Sequence, residues 1–369
     1  MTRDFEIVRS GAGKPKTAGL KATAKRLRNG KESRLAHRTS IDWRLDVRQT
    51  TTEEDKGLDL LYTDALMDTV LKSKTVESLL SDEKLKKLEV LFDKQIKTSQ
   101  LYVVANDDEG KEKEGKKGSS TGGLGLNKET FTVIITLNPN KPKGVLVNTL
   151  TKELRHAWQY VNGALLNPMD YEPDNAILLN RAEKADALVF AIKAAWELNL
   201  AGESDAWDYM LASPIGTIVR EFEKEVKEDF RTFSNGEASR KVYDSLFGRN
   251  HTKVFDKQII HQMLLDDTGY MKKGNKKPFV TVDELSQLGD MPFSTNYIAA
   301  DKEALPVDDK YSKVEDRSNA NFLWFIKFER QYQAKEFEMT KEVTQESAKV
   351  VDFSAFRKTH NELAMNKPA

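Results

Sequence analysis

The clearest apolar pattern in the chain runs from Val145 to Gly163, VLVNTLTKELRHAWQYVNG. Leu146, Leu150, Leu154, Ala157 and Val161 fall on one stripe at helical spacing, which predicts a helix packed on a core. Thr149, Lys152, His156 and Gln159 fall on the opposite side, with Glu153 beside them. A second long helix is predicted near 175–199. Its buried stripe is Leu178, Ala182, Ala185, Val189, Ile192 and Trp196, and its alanines allow close approach to the first helix. Residues 53–98 read as helical in two segments. One carries Leu58, Leu60, Leu61, Ala65, Leu66 and Val70; the other, opened by Ser81, carries Leu85, Leu88, Leu91 and Phe92 after Leu79 and Leu80. Leu101–Ala105 and Thr130–Leu137 are rich in β-branched residues and predict two strands of a hairpin over 101–137. The residues between them, 106–128, are charged and then glycine-rich, and predict a mobile loop. Asn138-Pro-Asn-Lys-Pro ends the strand before the first long helix. Further helices are predicted near 215–232, 236–247 and 252–265, and Thr281-Val-Asp-Glu284 is a capping box for another.

From about Pro306 the character changes. Phe322, Trp324, Phe325, Phe328 and Tyr332 crowd one predicted helix; core packing is the expectation, a docking surface the alternative. Val350, Val351, Phe353 and Phe356 form a small apolar cluster in an otherwise polar tail. The predicted organisation is a basic flexible arm over 1–40, a helical domain over 41–305 that includes the hairpin, and a helical appendage and tail over 306–369. The fold class is mainly α with a small β-sheet, α+β.

Composition narrows the chemistry. The 369 residues carry 58 basic and 58 acidic side chains, so bulk charge selects no partner. No cysteine is present, which excludes disulfides, thiolate nucleophiles and thiolate metal sites. No run reads as a membrane span or a secretory signal, and a cytoplasmic product is the expectation. Of the five histidines, His37 and His360 fall in predicted tails, and His251 and His261 are spaced too unsuitably to share a helix face. His156 remains. It lies one helical turn after Lys152, with Glu153 between them. That is the spacing of H-E-x-x-H, in which two histidines hold zinc and the glutamate is the base, with lysine in place of the first ligand.

KELRHAWQ resembles the HELRHAWQ core of a family of metallopeptidase domains found in bacteria, particularly alphaproteobacteria, and in their mobile elements. Arg181-Ala-Glu-Lys-Ala-Asp-Ala187 is similar to the family's second helix, R-x-x-E-A-D-A. Weaker likenesses lie at Gly236–Phe247 and Asn296-Tyr297. The resemblance implies a zincin-like core of two packed helices beside a β-hairpin, and a third, carboxylate ligand at the position of Lys184. Two of three ligand positions, Lys152 and Lys184, are therefore lysines. An ammonium has no lone pair and repels a divalent cation. The expectation is a vestigial site: Glu153 as a former general base, with His156, Lys152 and Lys184 around the former ion and Asp186 nearby, and no metal cofactor. The lysine charge then stands in for the lost cation, and Glu153, with Asp186, offsets it.

The function that follows is a catalytically inactive metallopeptidase-like protein serving as a structural or protein-interaction component of a phage particle or other mobile-element assembly. It would form homo- or hetero-oligomers and reside in the virion where a phage encodes it. Two alternatives stay open. One is an active zinc hydrolase with an altered ligand set. The other is a nucleic-acid-binding protein acting through the arm, where Lys14, Lys16, Lys21, Lys25, Arg26 and Arg28 meet few acids.

Overall fold

The computed structural model describes residues 6–7, 64–106, 130–265, 269–271, 276–292 and 295–347. The fold is mostly helical with a small sheet. Lys14, Lys16, Lys21, Lys25, Arg26, Arg28, loop residues 107–128 and the Val350–Phe356 cluster lie outside the described residues. Two residues of the expected arm do appear, as the short strand β1 (Glu6–Ile7).

Strands β2 (Leu85–Phe92), β3 (Ser99–Asn106) and β4 (Thr130–Leu137) complete the sheet in the order β1-β2-β4-β3. β4 pairs antiparallel with β3, the predicted hairpin, and parallel with β2. β2 corrects the sequence reading, which had this stretch helical. Leu85, Leu88, Leu91 and Phe92 have helical spacing, but pairing of Leu88–Phe92 with Val133–Leu137 overrides it. Ser81 does not open a helix either. It caps the end of α2 (Lys74–Leu80), which follows a helical segment over 64–70 (α1) and is N-capped by Ser73.

The two long helices form as predicted. α3 (Lys143–Val161) begins after a turn in which Asn138 Oδ1 accepts from the Asn140 amide at 2.9 Å. α4 (Pro173–Leu200) has proline in its first turn, where no amide donor is needed. Both are buried well beyond their apolar stripes. On α3 the polar side is enclosed as well: Thr149, Glu153, Arg155, His156 and Gln159 are all buried. α4 is the central element and packs against α3, α2 and most of the later helices. Its Glu197 fixes α2 by accepting from Ser73 Oγ at 2.6 Å and the Thr75 amide at 2.8 Å.

The remaining α-helices among the described residues are α5 (Asp205–Ala212), α6 (Gly216–Glu228), α7 (Arg231–Asn235), α8 (Glu237–Ser245), α9 (Arg249–Leu265), α10 (Val282–Gln287), α11 (Asp309–Ser312) and α12 (Arg317–Ser347). Thr281 and Glu284 make the predicted capping box on α10. The expected appendage is knit into the main core: Tyr311, Leu323 and Ile326 belong to the same apolar cluster as α3 and α4. The α12 aromatics do not join them. Phe322, Trp324, Phe325, Phe328 and Tyr332 are exposed, which overturns the core-packing expectation. No helix among the described residues is long and apolar enough to cross a membrane.

α3 meets α5 at Gly144, where a Cβ would lie 2.1 Å from the Asp205 carbonyl oxygen. Helix propensity alone favours Gly144→Ala by up to about 1 kcal/mol. The collision with backbone reverses that sign, and the variant should lose about 1–3 kcal/mol in a urea titration.

Candidate functional site

Lys152, Glu153 and His156 lie on α3 where its side faces β3 and α4. Glu153 is buried, and its Oε1 accepts from Ser99 Oγ at 2.6 Å, tying the helix to the first residue of β3. Its Oε2 stands 3.8 Å from His156 Nδ1, beyond hydrogen-bond length. Burial pushes the His156 imidazole below its ordinary value against the pull of Glu153, while the nearby Lys184 charge, from α4, pushes the same way as burial. The ring is thus neutral at pH 7. Lys152 is half-buried, and burial lowers its ammonium more than Glu153 raises it. Lys152 thus acts on Glu153, and Lys184 on His156.

Asp186 has a different job from the one the sequence suggested. It is fully buried, and Arg155 donates to it twice, Nε to Oδ2 at 2.7 Å and Nη2 to Oδ1 at 3.1 Å. Gln159 Nε2 donates to Oδ2 at 2.7 Å, and the Tyr297 hydroxyl donates to Oδ1. Burial, reinforced by the carboxylate, holds the Tyr297 phenol well above its ordinary value and so protonated. Asp186 is thus engaged with Arg155, Gln159 and Tyr297; its charge reaches His156 only at a distance.

The same knot anchors the segment after α10. Arg155 also donates to the carbonyls of Leu288 at 2.6 Å and Asp290 at 2.7 Å, and Gln159 to that of Leu288 at 2.9 Å. The guanidinium lies between the rings of Trp158 and Phe190, 5.2 and 5.4 Å from their centroids. Asn296 ties down the returning loop through the Ser286 carbonyl at 2.8 Å and the Ile298 amide at 2.9 Å. Gly236 (φ +89°) passes so close to Tyr297 that a Cβ would meet that of the tyrosine at 2.9 Å. Arg181 makes a separate buried pair with Asp256, at 2.7 Å through both Nε and Nη2.

The four stretches of family likeness thus converge in space. Arg155, Gln159, Asp186, Gly236 and Tyr297 are scaffold; Lys152, Glu153 and His156 lie on the same helix, with the Lys184 charge acting on His156. Sequence reasoning missed Ser99, Arg155 and Tyr297 as site-building residues. The arginine lay inside the quoted word KELRHAWQ, but nothing in the spacing shows its partner 31 positions away.

Residues 127–299 match the model of a family described as "Putative metallopeptidase family (DUF6782)". That segment is metallopeptidase-like. The match spans β4 through the Tyr297 loop, and leaves Ser99 and α12 outside it. No curated protein and no solved structure matches the chain.

A metallopeptidase implies zinc, and the donor set does not fit it. Zinc at a catalytic site takes three protein ligands of the His, Asp or Glu kind and keeps a fourth position open. Here one imidazole lies within reach of the Lys184 charge, the adjacent carboxylate accepts from Ser99 and is acted on by Lys152, and Asp186 is committed to Arg155. Among the described residues, no group of three or more His, Asp or Glu is placed to hold an ion.

Two consequences are measurable. Replacing Arg155 by Met leaves Asp186 buried without its countercharge and should cost about 3–5 kcal/mol in chemical denaturation, whereas Arg155→Met with Asp186→Leu should recover much of that loss. His156 has a depressed folded value, so below its ordinary value of 6.5 the unfolded chain takes up a proton that the folded chain refuses. Stability therefore falls as pH drops through 6.5 and levels off once the folded imidazole titrates. His156→Asn should lose less stability between about pH 7.5 and 5.5 than wild type in parallel urea titrations, the difference reporting this one group.

Proposed function

We propose that this is a metallopeptidase-like protein whose ion-binding place has been taken over by lysine charge, and that it works as a structural or protein-interaction component. The observation that carries this reading is Lys152. It stands in the position of the first zinc ligand, one helical turn from His156 and within electrostatic reach of Glu153. An ammonium there supplies positive charge without a Lewis acid. Lys184 adds a second charge close enough to His156 to oppose its protonation.

The supporting physics concerns what a zinc hydrolase requires of its glutamate. The base must reach a metal-bound water. Glu153 instead holds Ser99 of β3 at 2.6 Å, a contact that joins helix to sheet. A site built this way helps to hold two layers of the fold together. The scaffold around it is complete, because the Arg155–Asp186–Tyr297 knot draws on neither lysine. The setting we infer, a phage particle or another mobile-element assembly, rests on the family likeness of KELRHAWQ, where a folded domain without its former chemistry serves as a building block.

Elemental analysis of the purified protein tests this. Wild type should carry no stoichiometric zinc and show no hydrolysis of a generic protein substrate. Lys152→His with Lys184→Glu restores a two-histidine, one-glutamate set and should bind zinc. Stoichiometric zinc in wild type that disappears in His156→Ala would overturn the reading.

A further inference from the structure

We propose that the exposed aromatic face of α12 is the contact through which two copies of this chain associate. Phe322, Trp324, Phe325, Phe328 and Tyr332 are 49, 65, 46, 50 and 58% exposed, and they recur at the three- and four-residue spacings of a single helix face. The opposite side of the same helix is buried through Leu323 and Ile326.

The roll of the helix about its axis is fixed, so the rings cannot turn inward. Asn319 Nδ2 donates to the Lys253 carbonyl at 3.0 Å, and buried Arg330 pairs with Glu172 at 2.7 Å while also donating to the Tyr270 carbonyl. Trp324 and Phe328 stack on each other, with centroids 5.4 Å apart and planes at 15°, which presents a flat surface.

Size and charge together select the occupant. An aromatic side chain carries about 150–250 Å², so five rings, each about half open, expose on the order of 500 Å² of apolar surface. That is as large as the largest patch on a typical monomer. With the surrounding polar rim it approaches the roughly 800 Å² that each partner of a stable complex buries. Along α12 the exposed charged residues Arg317 and Lys335 bracket the stripe, and every exposed position between them is uncharged. The two half-buried charged residues within it are engaged, Lys327 with Asp174 and Glu329 as acceptor from Gln333 Nε2 at 2.9 Å. A nucleic acid or an acidic peptide would need cations inside the stripe. An uncharged aromatic surface of equal length suits it best, and a second copy supplies one through a two-fold axis. Equal numbers of acidic and basic residues, 58 each, leave no net repulsion between copies.

A dimer formed in this way deepens the interaction role inferred above, and its readout, molecular size, is independent of metal content. Sedimentation velocity of the full chain should show twice the chain mass, dissociating on dilution. Trp324→Glu with Phe328→Glu, at positions already facing solvent, should sediment as a monomer with an unchanged far-UV spectrum. The absence of native cysteine allows a second test that does not depend on that variant folding. Phe325→Cys, near the centre of the stripe and so near the axis, should form a disulfide-linked dimer on mild oxidation, while Leu200→Cys, 63% exposed elsewhere, should not. Three results would each overturn the proposal: a monomeric wild type at every concentration; a dimer that survives the double substitution; or a monomer that dimerises only after residues 348–369 are removed, which would show the chain's own tail on this face.

Discussion

Two charges taken out of water hold this molecule to one arrangement. Arg155 and Asp186 are both fully buried, and bringing such a pair together costs more in lost hydration than their attraction returns unless their remaining hydrogen-bonding capacity is used. Here it is largely used. Asp186 receives Arg155, Gln159 and Tyr297; Arg155 gives its other donors to carbonyls in the segment after α10. Slippage of α3 along α4 would break several of these bonds at once. The register of the two long helices, and the path of the loop returning through Asn296 and Tyr297, follow from that demand.

The demand also explains how a metallopeptidase-like segment can hold its shape with lysines at its centre. The printed bonds of the knot run among Arg155, Gln159, Asp186 and Tyr297, while Lys152 acts on Glu153 and Lys184 on His156. A change at Arg155, Asp186 or Tyr297 deprives that knot of a partner, and a change at Lys152 removes a positive charge that acts on buried Glu153. The knot and the tie from Glu153 to Ser99 use different side chains of the same helix. Lys152 still bears a strain of its own, because burial outweighs the attraction of Glu153. It is a tolerated occupant of the site.

Most of the helices were legible in the sequence because their signals are local. Apolar spacing marked α3 and α4 within a few residues, and the Thr281 capping box marked α10. β2 was not legible, since leucines at 85, 88 and 91 satisfy a helix as well as a strand, and the choice lies with β4 some forty residues later. The α12 rings misled for a related reason: a stripe shows that residues share a face, and says nothing of which face is covered. At the site, the helical spacing of Lys152, Glu153 and His156 could be read, since all three lie on α3. The role of Asp186 could not, because a carboxylate that binds metal and one that binds a distant arginine look alike in a sequence. Ser99 was invisible for the same cause, its contact with Glu153 being set by how the sheet edge meets the helix.

α4 has one further consequence, for how the chain can be cut. It runs 28 residues, and 21 of them are buried, by elements that precede it and by elements that follow it. A fragment ending soon after Leu200 would present half of its surface bare, and so would one starting near Pro173. Neither half of the protein is a candidate for independent expression, and a split version would have to be reassembled from co-produced pieces. The helix serves as an axle on which both halves are mounted, so that loosening either half exposes apolar surface belonging to the other.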